Sequence, residues 1–360
     1  MRSSRALLLA LLVLFVVAGC GGGKKSLLVG AVEDAPKWDP SAAAKAADAG
    51  FEADVLSAVW SHGVTAEQTA STLQPAVTAL AAKDVQPVLA VYQLSSQTPL
   101  TDADQQAFAS YAAGLVQRLP QVATVMVGNE PNLNLFWAPQ FDGSGGDAAA
   151  VAFERLLART YDAIKSVRSS VTVDGGGLAP HGGDNPSASR PTHSPTEFIR
   201  DLGAAYRASG RTKPLMDALS IHVYGESPRI PPSFTHPRTT SIGIADYDKL
   251  TQLIEQSFGK LLPIVYGEYG VETTVPPAHA GAYSGSEVVA PVDAATQARY
   301  YADAIGLASC QPDVQALYLF HVIDENKLEG LQSGVYYADG APKPSLDVVR
   351  QTIHHPRCHR

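Results

Sequence analysis

The chain has 360 residues, a net charge of −8 and 45% hydrophobic residues. That length allows one large domain or two modest ones, and the apolar share supports a substantial core. A net negative chain has no electrostatic pull on nucleic acid, so no nucleic-acid partner is expected.

Arg2 and Arg5 precede an apolar run over 6–17 that is too short to span a bilayer comfortably. The run ends in Val17-Ala18-Gly19-Cys20. Small residues before a cysteine at this place resemble the lipobox of bacterial lipoproteins. The resemblance implies a signal peptide over 1–19, a lipidated Cys20 at the new N-terminus and a Gly/Lys tether completing 20–25. The mature domain, 26–360, would then work outside the cytoplasm, held to the bacterial cell membrane by acyl chains. An ordinary signal peptide with an incidental cysteine is the alternative.

Cys310 and Cys358 remain. An even number outside the cytoplasm suggests a disulfide pinning the C-terminal tail to the last helix, with two buried thiols as the alternative. No CxxC pattern exists and the histidines lack ligand spacing, so no metal and no cofactor are expected. The protein is expected to be a monomer.

Short β-branched or apolar runs recur at 27–32, 53–59, 86–92, 123–127, 171–174, 218–224, 263–266 and 316–321. Continuous runs of this kind suit parallel strands buried on both faces. Helical segments fall between them, at 40–49, 66–83, 102–119, 148–169, 195–209, 245–257 and 294–309, and a last one covers 345–354. Thr101 before Asp102 and Ser194 before Pro195 have the chemistry of helix N-caps. Eight strands alternating with eight helices predict an α/β fold, a single (β/α)8 TIM barrel. A doubly wound sheet would carry a glycine-rich phosphate turn after its first strand, where Gly30-Ala31-Val32-Glu33-Asp34 stands instead. The long segments 179–190, 226–244 and 273–292 follow strands, on the face where barrel active sites form.

Two carboxylates stand at strand ends. Val127-Gly128-Asn129-Glu130-Pro131-Asn132 puts Glu130 at the lip of strand four, and Val265-Tyr266-Gly267-Glu268-Tyr269-Gly270 puts Glu268 at the lip of strand seven. These strands face each other across a closed eight-stranded mouth. Two inward glutamates there could approach to about 5 Å, where one attacks an anomeric carbon as the other protonates the leaving oxygen.

Asn129-Glu130-Pro131 and Tyr266-Gly267-Glu268-Tyr269-Gly270 resemble the signature of clan A glycoside hydrolases, of the family 5 and family 39 type of barrel. The resemblance implies a retaining glycosidase on a carbohydrate substrate, with a β-linked bond the common case. It implies that Glu130 is the acid/base, Glu268 the nucleophile and Asn129 a partner of the sugar 2-hydroxyl. In strand six, Ser220-Ile221-His222-Val223-Tyr224, it implies that Tyr224 donates to Glu268 and that His222 orients the pair. Two positions depart from the clan. Trp60-Ser61-His62 stands where an Arg is frequent, and Leu319-Phe320-His321 where a Trp is frequent.

Glu33 or Asp34 is expected to touch substrate, whereas Glu226 and Glu272 read as surface groups. Asp174, Asp324 and Glu325 could also bind hydroxyls. Trp137 is the leading candidate to stack on a pyranose, with Trp60 and Phe320 behind it, and Trp38 reads as packing. Two other classes compete: a catalytically inactive glycan-binding surface lipoprotein on the same barrel, and a solute-binding lipoprotein of a transporter.

Overall fold

The structure is a computed structural model and describes residues 27–356 and 358. The expected signal peptide, Cys20 and the tether lie outside the described residues. Eight parallel strands close into one barrel in sequence order: β1 (Leu28–Val32), β2 (Ala53–Val59), β3 (Gln86–Tyr92), β4 (Thr124–Val127), β5 (Thr172–Leu178), β6 (Ala218–Ile221), β7 (Ile264–Tyr269) and β8 (Val314–Phe320). Each is followed by a helix: α1 (Ala43–Asp48), α2 (Ala66–Ala81), α3 (Asp102–Arg118), α4 (Ala148–Val167), α5 (Pro195–Ala208), α6 (Tyr247–Phe258), α7 (Ala294–Ser309) and α8 (Pro344–His354). The chain is a single (β/α)8 barrel.

Strand alternation explains why the strand sequences are apolar throughout. Val55, Val88, Met126, Val265 and Tyr318 fill the barrel interior. Leu56, Leu89, Val125 and Val173 point outward into the layer packed by Phe108, Phe153, Phe198 and Tyr301 from the helices. Each such side chain taken fully from water contributes roughly 1.5–3 kcal/mol. The helices start where the sequence supplies caps: Thr101 accepts from the Asp104 amide, and Ser194, ahead of Pro195, accepts from the Glu197 amide.

Three expectations shift. β6 ends at Ile221, so His222 and Tyr224 lie just past the strand, although the His222 and Val223 amides still reach the Leu178 and Glu268 carbonyls. β7 runs on to Tyr269, because its pairing with β8 slips between Tyr266 and Tyr269 and carries the strand through Gly267. The disulfide joins Cys358 to Cys310. Cys310 follows α7, so the tail is tied to the penultimate helix rather than the last one.

The loops at the mouth are held by a buried cation. Lys343 Nζ, with its side chain fully enclosed, sits 2.7 Å from Asp324 Oδ1. It also donates to Thr273 Oγ1 and the Gln332 carbonyl at 2.8 and 2.9 Å, so all three protons have acceptors. Asp324 in turn accepts from Tyr283 and from the Gly334 amide. One ammonium thereby ties the loop after β7 to the loop after β8. Removing one partner of a buried pair strands the other, which costs about 3–5 kcal/mol. Lys343→Ala is expected to lower the urea-unfolding free energy by about that amount; a loss within error of a surface Lys→Ala control would refute the clasp.

Candidate active site

The mouth of the barrel opens into a cavity of about 630 Å³, lined by residues that include Asn129, Glu130, His222, Tyr224, Glu268 and Phe320. Glycine geometry puts the two glutamates there. Gly128 has φ +94, and a Cβ on it would stand 2.8 Å from the Phe153 ring, so only glycine permits the turn out of β4. Glu130 itself adopts φ 43, an uncommon conformation for a residue with a side chain. Its amide donates to the Gly177 carbonyl and its carbonyl accepts from Leu133. Asn132, fully buried, braces the same turn: its amide group donates to the Ala179 and His193 carbonyls and accepts from the Ala179 amide. A Cβ on Gly267 would stand 2.6 Å from Ser220 Oγ, so this glycine lets β7 approach β6 just before Glu268. Ladder irregularities fall at both places, at Gly176–Leu178 beside Glu130 and at Tyr266–Tyr269 around Glu268. Such slips re-aim side chains beside active sites.

His222 Nδ1 lies 3.0 Å from Glu130 Oε1 and 3.4 Å from Glu268 Oε2. Those two oxygens are therefore no farther apart than the two distances laid end to end. Tyr224 donates its hydroxyl proton to Glu268 Oε2 at 3.0 Å. Burial pushes the Glu268 carboxyl above its ordinary value, with Glu130 adding to this, while His222 and Tyr224 pull it down. Burial works against a charged His222, yet Glu268 and Glu130 together raise its affinity for a proton. The Tyr224 hydroxyl is pushed far up by burial and by Glu268, so it stays a donor.

The other expected site residues divide. Phe320 lines the cavity, with its ring edge-on to Tyr224 at 6.3 Å. Asn129 also lines it. Glu33 reaches the wall but its two oxygens accept from the Ala35 and Ile323 amides, so it acts first as a clasp between the loops after β1 and β8. Asp34 lines the cavity, held by Ser57 and paired with Lys37 at 2.9 Å. Trp137 does not reach it. It is fully buried and packs edge-on against Phe153. In the tight turn after Glu130 the Phe136 and Trp137 amides both donate to the Leu133 carbonyl, and the two successive side chains leave the turn on different sides. Phe136, one residue earlier, faces the cavity instead. Trp60 is also enclosed. Trp38, which reads as packing, is 75% exposed at the cavity rim. Asp174 is fully buried within the barrel, and burial lifts it to about 7. Glu272 is buried rather than on the surface and also rises to about 7, chiefly from burial.

Sequence reasoning missed Tyr92, Phe136, Asn132 and His321. Tyr92 closes β3 at the lip, and that strand-end position was the available signal. His321 lines the cavity with Nδ1 on the Val32 carbonyl and Nε2 3.5 Å from Glu325. Among the described residues no group of His, Cys, Asp or Glu is arranged to hold a metal ion.

No family model matches the chain, and no curated protein matches it in sequence. Solved structures do match in shape. A β-glucosidase designated 1317 superposes with a TM-score of 0.60 at 15% identity, covering 89% of both chains. The AHE enzyme of Alicyclobacillus herbarius gives 0.58 at 15% identity over 92% of this chain and 98% of the other. A broad-specificity endoglucanase of family GH5-4 from Clostridium longisporum gives 0.56 at 12%, covering 89% of both. At these identities the likeness establishes the barrel fold, which this chain has in common with structures of glycoside hydrolases.

Proposed function

We propose that the chain is a retaining glycoside hydrolase acting on β-linked substrates. The observation that carries this reading is the reach of both glutamates to one imidazole nitrogen, at 3.0 and 3.4 Å. Retaining enzymes hold their carboxyl groups about 5–5.5 Å apart, whereas inverting ones leave roughly 6.5–9.5 Å for a water. The bound set by His222 favours the shorter class. The names of several fold neighbours, a β-glucosidase and β-glucuronidases among them, support a β-glycosidic bond.

In the first step a Glu268 oxygen attacks the anomeric carbon, and the bond from that carbon to the leaving oxygen breaks. Glu130 gives its proton to the leaving oxygen. In the second, Glu130 takes a proton from water, whose oxygen displaces Glu268 from the same carbon. Tyr224 holds Glu268 aimed and favours its anion. His222 Nδ1 faces both acids and can follow their charge as the proton moves. Asn129 is placed to meet the 2-hydroxyl. The lipobox resemblance adds a location: a lipid on Cys20 would keep the enzyme at the outer surface of the cell membrane.

Replacing Glu268 with Gln is expected to lower hydrolysis of aryl glycosides by about 10⁴-fold or more. A 2-fluoro glycoside should form a covalent adduct at Glu268, and azide should rescue Glu268→Gly with an inverted glycosyl azide. Full turnover by Glu268→Gln would end the proposal, and an intact barrel that neither labels nor turns over any glycoside would favour the glycan-binding alternative.

A pH profile tests the surroundings of the nucleophile. Glu268 acts as its anion and its proton affinity is raised by burial. Activity should therefore be present above that raised value and fall as pH drops through it, placing the acid limb of kcat/KM above the ordinary glutamate range. Tyr224→Phe removes a donor that lowers the Glu268 value. It should move this limb further up and reduce kcat by about 10- to 100-fold, as expected for a hydrogen bond to a charged group. A limb that stays put or moves down would contradict the role given to Tyr224.

A further inference from the structure

Trp38 is the largest exposed apolar side chain among the described residues, and it belongs to the cavity wall. The chain has three tryptophans; Trp60 and Trp137 are 2% and 0% exposed, whereas Trp38 is 75% exposed. The turn that carries it is stiff. Pro36 and Pro40 flank it, each with its own φ fixed. The Ala35 carbonyl accepts from both the Trp38 and the Asp39 amides, at 3.1 and 2.9 Å. Lys37 anchors the same turn to β2. Its ammonium donates to the Ser57 carbonyl and to Ser57 Oγ at 3.0 and 2.8 Å, and pairs with Asp34 at 2.9 Å. That ammonium also lies 5.2 Å from the centre of the indole. A large ring held out in water on a fixed turn, beside a cavity, is a contact surface rather than misplaced core.

We propose that Trp38 is the stacking platform for a second sugar ring of the substrate, on the side away from the leaving group. The inference rests on the glycosidase reading, which fixes the direction. Glu130, at the end of β4, protonates the leaving oxygen, so the leaving group extends on its side of the mouth. The rest of the glycone runs the other way, toward β8, which lies across the ring from β4, and toward β1 beside it. Trp38 stands in the loop after β1. Asp34, from the same loop, lines the cavity with its side chain 33% exposed. An aromatic face with a carboxylate beside it suits a pyranose, whose C–H face is apolar and whose edge carries hydroxyl donors. An acyl chain or an apolar protein face would gain from the ring but would strip water from Asp34 and give no donor in return. The cavity, about 630 Å³, is of the size that takes a drug-sized ligand, which leaves room for more than one ring. Because the turn is already fixed, stacking orders little protein.

The experiment uses the full chain, holds the leaving group constant and lengthens the glycone. The substrates are 4-nitrophenyl β-glycosides of one and two units in the gluco, xylo, manno and galacto series. In at least one series kcat/KM for nitrophenol release should rise about tenfold or more from one unit to two, as an aromatic contact and the area it buries predict. Trp38→Ala should bring the two-unit value down to about that of the one-unit glycoside, and Trp38→Phe, a smaller ring, should keep part of the rise. Val288→Ser, at an exposed site in the loop after β7, should keep all of it. Binding is read on the Glu268→Gln chain by acrylamide quenching, which reports Trp38 because the other two indoles are enclosed. The two-unit glycoside should shield the indole where the one-unit glycoside does not. No gain with length in any series, a gain that survives Trp38→Ala, or quenching that the sugar leaves unchanged overturns the proposal. So does shielding by phosphatidylglycerol vesicles in place of sugar, or a dimer in sedimentation that Trp38→Ala dissolves, since another occupant would then cover the ring. Labelling of Glu268 by a fluoro glycoside reports separately on the glycosidase reading. Labelling without a gain in length overturns only the platform. Shielding without labelling or turnover overturns the hydrolase and leaves Trp38 as a sugar contact.

Discussion

Two carboxylates that share one cavity repel each other, and burial disfavours the charge on Glu268. The imidazole of His222, with one nitrogen facing both acids, is the compensation that lets them stand so close. That nitrogen sets the separation of the glutamates, and Tyr224 adds a second hold on Glu268. If either acid were moved by a turn of backbone, the arrangement would become a pair of ordinary surface charges.

The scaffold is shaped to hold that contact. Gly128 and Gly267 sit one or two residues ahead of the glutamates and give up side chains so that backbone can pass. Both slipped ladders lie beside the same two residues. Asn132 and Glu33 act at a distance by pinning loops to neighbouring strands. Lys343 does the same for the far side of the mouth, with an ion pair closed off from water. The rim is thus held together by polar groups that bond from one loop to the next.

Much of the fold was legible in the sequence, because parallel strands buried on both faces appear as apolar runs and capped helices announce their starts. β2 and β3 begin and end where composition places them. β7 read short because Gly267 looks like a break, and only its partner strand shows that the ladder resumes beyond it. The glutamates were legible from strand position and local motif. Side-chain direction within loops was not. Trp137 and Phe136 are adjacent and both aromatic, both amides bond to the Leu133 carbonyl, and only the folded turn shows that Phe136 faces the cavity while Trp137 is buried. Glu33 looked like a substrate ligand because no local pattern reveals that amides from two loops already hold it. Glu272 looked like a surface group for the same reason, since what buries it is distant in sequence.

Every strand runs toward the mouth, so the chain enters β1 at Leu28 on the floor of the barrel, opposite the glutamates. Between Cys20 and that entry lie only a few residues, a leash of about 25 Å at full stretch. A lipid on Cys20, as proposed, would set the protein floor-down on the bilayer with its opening turned outward. It would meet molecules arriving from the surroundings, and the headgroups beneath it would lie behind its back.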